Sequence, residues 1–141
     1  MENLRQQLVA TALAWETAFG NAPAITSTLS EYDAAHMIGC NLEEYSKCMQ
    51  GVTAVQKGYD FKFNGVRYQI KANRPSGKPN SNVSMVSKVS NYEWDYLIWV
   101  LYNKKYEIQE AWIWEVEAYA KAFDAIKRLS PDHYRQGKRL F

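Results

Sequence analysis

The stretch Gly58-Tyr59-Asp60-Phe61-Lys62-Phe63-Asn64-Gly65-Val66-Arg67-Tyr68-Gln69-Ile70-Lys71 alternates apolar and polar residues around a central Asn-Gly pair. Asn-Gly is favoured in a two-residue type I′ turn because both positions take positive φ. That turn predicts Phe63 opposite Val66, Lys62 opposite Arg67, Phe61 opposite Tyr68 and Asp60 opposite Gln69. Phe61, Phe63, Val66, Tyr68 and Ile70 then share an apolar face, and Asp60, Lys62, Arg67, Gln69 and Lys71 share the other. Directly opposed Cβ atoms lie about 5 Å apart and diagonal neighbours about 7–8 Å. A purely local turn is therefore expected to gather an acid, an amide and a lysine on one patch.

Around this hairpin, the pattern predicts a mixed order of elements. Leu4, Leu8, Ala12, Trp15 and Phe19 recur at helical spacing over Glu2–Gly20, with Gly20 as the stop. A second helix is expected through about Ile38, begun by either of two capping boxes, Thr28-Leu29-Ser30-Glu31 or Ser30-Glu31-Tyr32-Asp33. Asn41–Met49 has the pattern of a third, short helix with Asn41 as its cap. Val52–Gln56 reads as a short strand before the hairpin, which is expected to run from Asp60 to Ala72. Arg74–Asn82 is a loop rich in Pro, Gly, Ser and Asn, and Ser84–Val89 resembles a short helix. Tyr96–Tyr102 is almost wholly apolar, as a strand covered on both faces would be. After a turn at Asn103-Lys104-Lys105, a strand is expected over Tyr106–Ile113 and a helix over Trp114–Leu129. Pro131 is expected to end the regular pattern, leaving residues 130–141 as a basic tail, mobile or docked on a partner. The fold class predicted is α/β, a mixed sheet flanked by helices.

With 141 residues, 47% hydrophobic and 14% aromatic, the chain suits one domain, residues 1–141, that folds alone. The N-terminal segment lacks an apolar signal core, and the longest clean apolar run, Tyr96–Tyr102, is too short to span a bilayer. Cys40 and Cys48 have no zinc-ligand spacing, which argues against a structural zinc site; two cysteines suffice for a disulfide, but nothing points to secretion, so a reduced, cytoplasmic protein is expected. A net charge of +2 neither requires nor excludes nucleic acid. Basic residues do cluster locally: Lys62, Arg67, Arg74, Lys78 and Lys88 are the candidates for contacting a phosphate backbone.

The hairpin patch suits metal-assisted hydrolysis of a phosphodiester. Mg²⁺ takes oxygen ligands, usually one or two carboxylates completed by water and substrate. Asp60 is the principal candidate ligand and Gln69 supplies a neutral oxygen. Lys71 either acts on the attacking water or binds the scissile phosphate. The second carboxylate must come from elsewhere, and Glu31 is the best candidate, although position N3 of a capping box is also a sufficient structural reason for it. Glu16 is a solvated helix residue within reach of the site, and Asp33 a cap or surface acid. The tryptophans Trp94, Trp99, Trp112 and Trp114 read as packing rather than as a stacking platform. His36 and His133 are isolated and form no metal cluster.

Asp60 followed by Gln69-Ile70-Lys71, behind the helix Ser30–Gly39 and ahead of Asp95-Tyr96-Leu97-Ile98-Trp99-Val100, resembles the signature of the PD-(D/E)XK nuclease superfamily. The resemblance covers about residues 30–116 and implies a restriction-endonuclease-like αβββαβ core. It also implies cleavage of DNA with Mg²⁺, which Mn²⁺ can replace. On it, Asp60, Gln69 and Glu31 hold the metal, and Lys71 completes the catalytic set. Tyr59 stands where the signature has proline, and Gln69 where it has an acid, so the metal site has one negative charge fewer. The alternative reading is a nuclease-fold module that binds nucleic acid or a protein partner without turnover. Cutting both strands of a duplex with so small a chain implies a homodimer, for which the aromatic C-terminal half offers an interface.

Overall fold

The computed structural model describes residues 3–50 and 58–141. Three helices come first: α1 (Leu4–Phe19), α2 (Thr26–Met37) and α3 (Leu42–Gln50). The strands β1 (Phe61–Phe63), β2 (Val66–Asn73), β3 (Tyr96–Tyr102) and β4 (Ile108–Glu115) follow. Then come α4 (Val116–Phe123), α5 (Pro131–Tyr134) and β5 (Lys138–Arg139). The five strands form one mixed sheet in the order β1-β2-β3-β4-β5, with β2 and β3 parallel and every other pair antiparallel. The strand read at Val52–Gln56 lies outside the described residues.

Local chemistry sets the hairpin. Asn64 and Gly65 take φ of 51° and 79°, and the register is Phe63 with Val66, Lys62 with Arg67 and Phe61 with Tyr68. The caps follow the same logic. Asn3 accepts from the Gln6 N–H, and Gly20 turns left-handed at φ 90° to close α1. Asn41 and Glu44 cap α3 reciprocally, each accepting the other's backbone N–H.

β3 divides two apolar clusters. Ile98, Val100 and Tyr102 face one cluster together with Phe61, Ile70, Leu29, Ala34 and Ala35, so that α2 lies over β2 on this side. Leu97 and Trp99 face the other, with Trp94, Trp114, Tyr119, Phe123 and Tyr134. Trp94, Trp99 and Trp114 are buried and Trp112 half-buried, so the tryptophans pack, as expected.

Several sequence expectations are corrected. α2 begins at Thr26, with Ile25 in the cap position and no side-chain cap, so neither capping box forms. Ser30 instead turns its hydroxyl back onto the Ser27 carbonyl, 2.9 Å away, and Glu31 falls in the second turn. Residues 84–89 are extended rather than helical. Val86 bridges Leu129, the Val89 N–H donates to the Tyr119 hydroxyl, and the Tyr134 hydroxyl donates to the Ser87 carbonyl. Tertiary partners thus replace the hydrogen bonds that a helix of β-branched residues would have made. The last helix is shorter than expected at both ends: Trp114 and Glu115 stay in β4, paired with Leu97 and Tyr96, and the helix stops at Phe123, with Leu129 bridging Val86 instead.

The tail is part of the fold. Ser130 caps a helix in which Pro131 takes the first position, where its missing N–H costs nothing. β5 then joins the sheet edge, setting Lys138 opposite Ile113 and Arg139 opposite Trp112. Among the described residues no helix is long and apolar enough to cross a membrane.

Candidate functional site

The site is built where β1 stops. Asp60 precedes the strand and has left the expected pairing with Gln69; its backbone N–H donates to the Tyr68 carbonyl at 2.8 Å. Its carboxylate takes the Ile70 N–H, with Oδ2 at 2.7 Å. Strand N–H groups lie in the plane of the sheet, so the carboxylate sits at the sheet edge, where the next ladder carbonyl would have been.

Glu31 reaches the same point from α2. Its carboxyl group is half-buried and hydrogen-bonded to Asp60. Burial and then the neighbouring Asp60 charge push the Glu31 carboxyl up to about 7. Asp60 is also raised by burial, against the Ile70 N–H, the bond from Glu31 and the Lys71 ammonium, which all favour its charged form. Glu31 therefore keeps its proton up to about pH 7, against the Asp60 carboxylate. These two acids and the lysine are the predicted residues that the fold brings together.

Gln69 is placed differently. It pairs with Leu97, and Lys71 with Trp99, so both stand on the sheet face opposite α2. Lys71 still acts on Asp60 through its charge. Among the described residues, no hydrogen bond joins Gln69 to the two acids. Nor do three or more His, Cys, Asp or Glu side chains converge anywhere among the described residues. The donor set is two carboxylates on separate elements, which fits a hard divalent cation that keeps most of its ligands as water or substrate oxygen.

The network beside Glu31 was not legible in the sequence. Asp33, read as a cap or surface acid, is buried. It is gripped by Arg5 through Nε at 2.6 Å and Nη2 at 2.8 Å and by the Tyr102 hydroxyl at 2.6 Å. This ties α2 to α1 and β3 and so fixes the position from which Glu31 projects. Tyr45 is a further residue that sequence reasoning missed. Its ring packs edge-on to Phe61 and Tyr32, and burial together with the charges of Glu31 and Asp60 raises its phenol. The spacing of Tyr45 and Met49 along α3 is the signal that Tyr45 faces inward.

The five basic candidates do not converge. Arg67 holds Asp95 through both nitrogens of its fork, at 3.2 and 3.1 Å. Arg74 pairs with Glu16, donates to the Lys104 carbonyl and lies 4.3 Å above the Tyr106 ring centroid. Glu16 is thereby committed away from the acid pair. Lys88 caps the end of α4 through the carbonyls of Asp124 and Ile126, each at 2.9 Å. Lys62 and Lys78 are exposed. Arg67 and Arg74 flank β2 at its two ends, with Lys71 between them.

No protein-family model matches the chain. No curated protein matches it either.

Proposed function

We propose that the protein hydrolyses phosphodiester bonds of DNA with Mg²⁺ or Mn²⁺, using Asp60 and Glu31 to hold the ion and Lys71 to engage the phosphate. One observation carries this reading. Two carboxyl groups from different elements meet at a half-buried sheet edge, within range of a lysine charge. Burial of two carboxyl groups against each other raises the proton affinity of one of them and costs stability, an arrangement found preferentially at functional sites. The parallel β2–β3 pair that follows a hairpin, with α2 packed on β2, supports the reading. The crossover between those two strands contains no helix.

A bound divalent ion would lower the pKa of a coordinated water and offset charge developing on the phosphate oxygens. The chain's own groups do the rest. Asp60 is oriented by the Ile70 N–H on Oδ2, and its carboxylate would serve as a ligand. Glu31, in its deprotonated form, would be the second carboxylate to hold the ion. Lys71 supplies a positive charge beside Asp60, suited to a non-bridging phosphate oxygen or to the incoming water. Gln69, on the same sheet face as Lys71, is placed to contact substrate more readily than the ion.

The test is relaxation or linearisation of supercoiled plasmid with Mn²⁺, comparing wild type with Lys71→Ala. Equal cleavage by the two proteins would refute the role of Lys71. The single charge missing at Gln69 favours a second reading, a module that binds without turnover. Calorimetric titration with Mn²⁺ separates the two, because a binding module of this kind takes up no ion in either wild type or Asp60→Ala.

A further inference from the structure

Helix α1 carries two apolar faces. Ala12, Val9 and Leu13 pack into the cluster shared with α2. Leu4, Leu8, Trp15 and Phe19 lie on the adjoining face and are 77%, 37%, 53% and 68% exposed. At 3.6 residues per turn these four fall within an arc of roughly 60°. The Trp15 and Phe19 rings touch, with centroids 4.7 Å apart. The stripe runs into a groove of 610 Å³ whose walls include Leu4, Leu8, Tyr32, Leu42 and Tyr45. Leu42 on its far wall is 63% exposed. A continuous apolar surface of this kind marks an interaction site.

The stripe is complementary to its own reverse. Laid antiparallel on a second α1, Leu4 meets Phe19 and Leu8 meets Trp15, and both pairs share one midpoint, between Thr11 and Ala12. A two-fold axis there runs across the helix pair, and it brings the exposed Thr11 of each copy together on one side of the crossing. Short side chains thus flank the axis, where the helices come closest, and large ones interlock on either side of it. Pairing also brings no like charges together. The charged residues of α1, Arg5 and Glu16, are turned toward their own chain, held by Asp33 and Arg74. At about 150–250 Å² per large side chain, the exposed fractions amount to on the order of 500 Å² per copy. Standard interfaces bury roughly 800 Å² per partner, so a dimer of micromolar strength is expected once the groove walls contribute.

We propose that α1 is the interface of a two-fold homodimer, with the stripe Leu4, Leu8, Trp15 and Phe19 packed antiparallel on its copy. This surface replaces the aromatic C-terminal half as the site of dimerisation, because Trp94, Trp99, Tyr119 and Tyr134 are buried in the fold. It is independent of the chemistry at Glu31 and Asp60.

Sedimentation velocity over about 1–200 µM is expected to show a monomer–dimer equilibrium. The double variant Leu8→Lys/Trp15→Lys should weaken it by roughly 100-fold or more, with an unchanged circular dichroism spectrum because both positions are exposed. Thr11→Cys should form an intermolecular disulfide under mild oxidation, at a yield that wild type, with only Cys40 and Cys48, does not reach. A wild type that stays monomeric throughout, or a double variant that dimerises as well as wild type, overturns the interface. A dimer in which Thr11→Cys fails to cross-link overturns the antiparallel arrangement.

Discussion

The Glu31 carboxyl is hydrogen-bonded to that of Asp60, joining the second turn of α2 to the residue that ends the hairpin. Nothing local brings these residues together. Their meeting depends on α2 lying over β2, and α2 is held there by Leu29, Ala34 and Ala35 in the core and by the Arg5–Asp33–Tyr102 network.

The acid pair should make stability depend on pH. An unfolded glutamate loses its proton near 4.5, whereas Glu31 in the fold loses it near 7. Between these values the native state holds more protons, so stability falls as pH rises through the window and levels off above it. Glu31→Gln removes that fall. Allowing for solvent screening of a half-exposed group, it should be more stable than wild type by about 1–2 kcal/mol above pH 7 and equal to it near pH 4.5. Urea unfolding at several pH values measures this; parallel profiles for the two proteins would contradict the proton held on Glu31.

Divalent ion should reverse the order of the two proteins. Adding Mn²⁺ at pH 7.5 is expected to raise the melting temperature of wild type more than that of Glu31→Gln, because ion binding to the native state alone stabilises it by mass action. Chelation should return both to their ion-free values. Equal shifts would place any bound ion elsewhere.

For activity, Asp60→Asn is the sharper variant than alanine. Its amide oxygen can still accept the Ile70 N–H, so the hairpin end is kept while the charge is lost. Plasmid cleavage should drop by roughly 100-fold or more, and Lys71→Ala should cost a similar factor. Retention of wild-type cleavage by Asp60→Asn would remove Asp60 from the metal site.

The Arg5–Asp33–Tyr102 network is a matter of stability. Asp33→Asn leaves the part-buried Arg5 guanidinium without its counter-charge and should destabilise the fold by about 2–4 kcal/mol. Tyr102→Phe, which removes one hydrogen bond to a carboxylate, should cost about 1–3 kcal/mol. Chemical denaturation measures both, and near-neutral values would show that α2 is held by its apolar contacts alone.

The basic residues should separate into two kinds. Arg74→Ala removes the contacts with Glu16, Lys104 and Tyr106 and is expected to lower stability by about 1–2 kcal/mol. Lys62→Ala and Lys78→Ala, at exposed positions, should leave stability unchanged. If these lysines touch DNA, each should reduce the salt slope of binding by about 0.9. Fluorescence titration with duplex DNA at several salt concentrations distinguishes the two groups.

Where a structure depends on neighbours in the chain, the residues alone determined it. Asn64-Gly65 specified the turn and with it the partners of Phe61, Lys62 and Phe63. Asn3, Gly20 and the Asn41–Glu44 pair marked helix ends, and the apolar run Tyr96–Tyr102 became the central strand. Tertiary packing decided what no local rule could. It moved Asp60 off its ladder position and set Glu31 beside it, paired Arg67 with Asp95, and held residues 84–89 extended against the aromatic cluster. It also left the stripe of α1 facing outward. Turn and cap preferences are worth about a kilocalorie each and act within a few residues, whereas burial of a large side chain is worth more and is indifferent to sequence distance. Periodicity could therefore identify α1 as a helix, but only the docked fold determined which of its two apolar faces was covered.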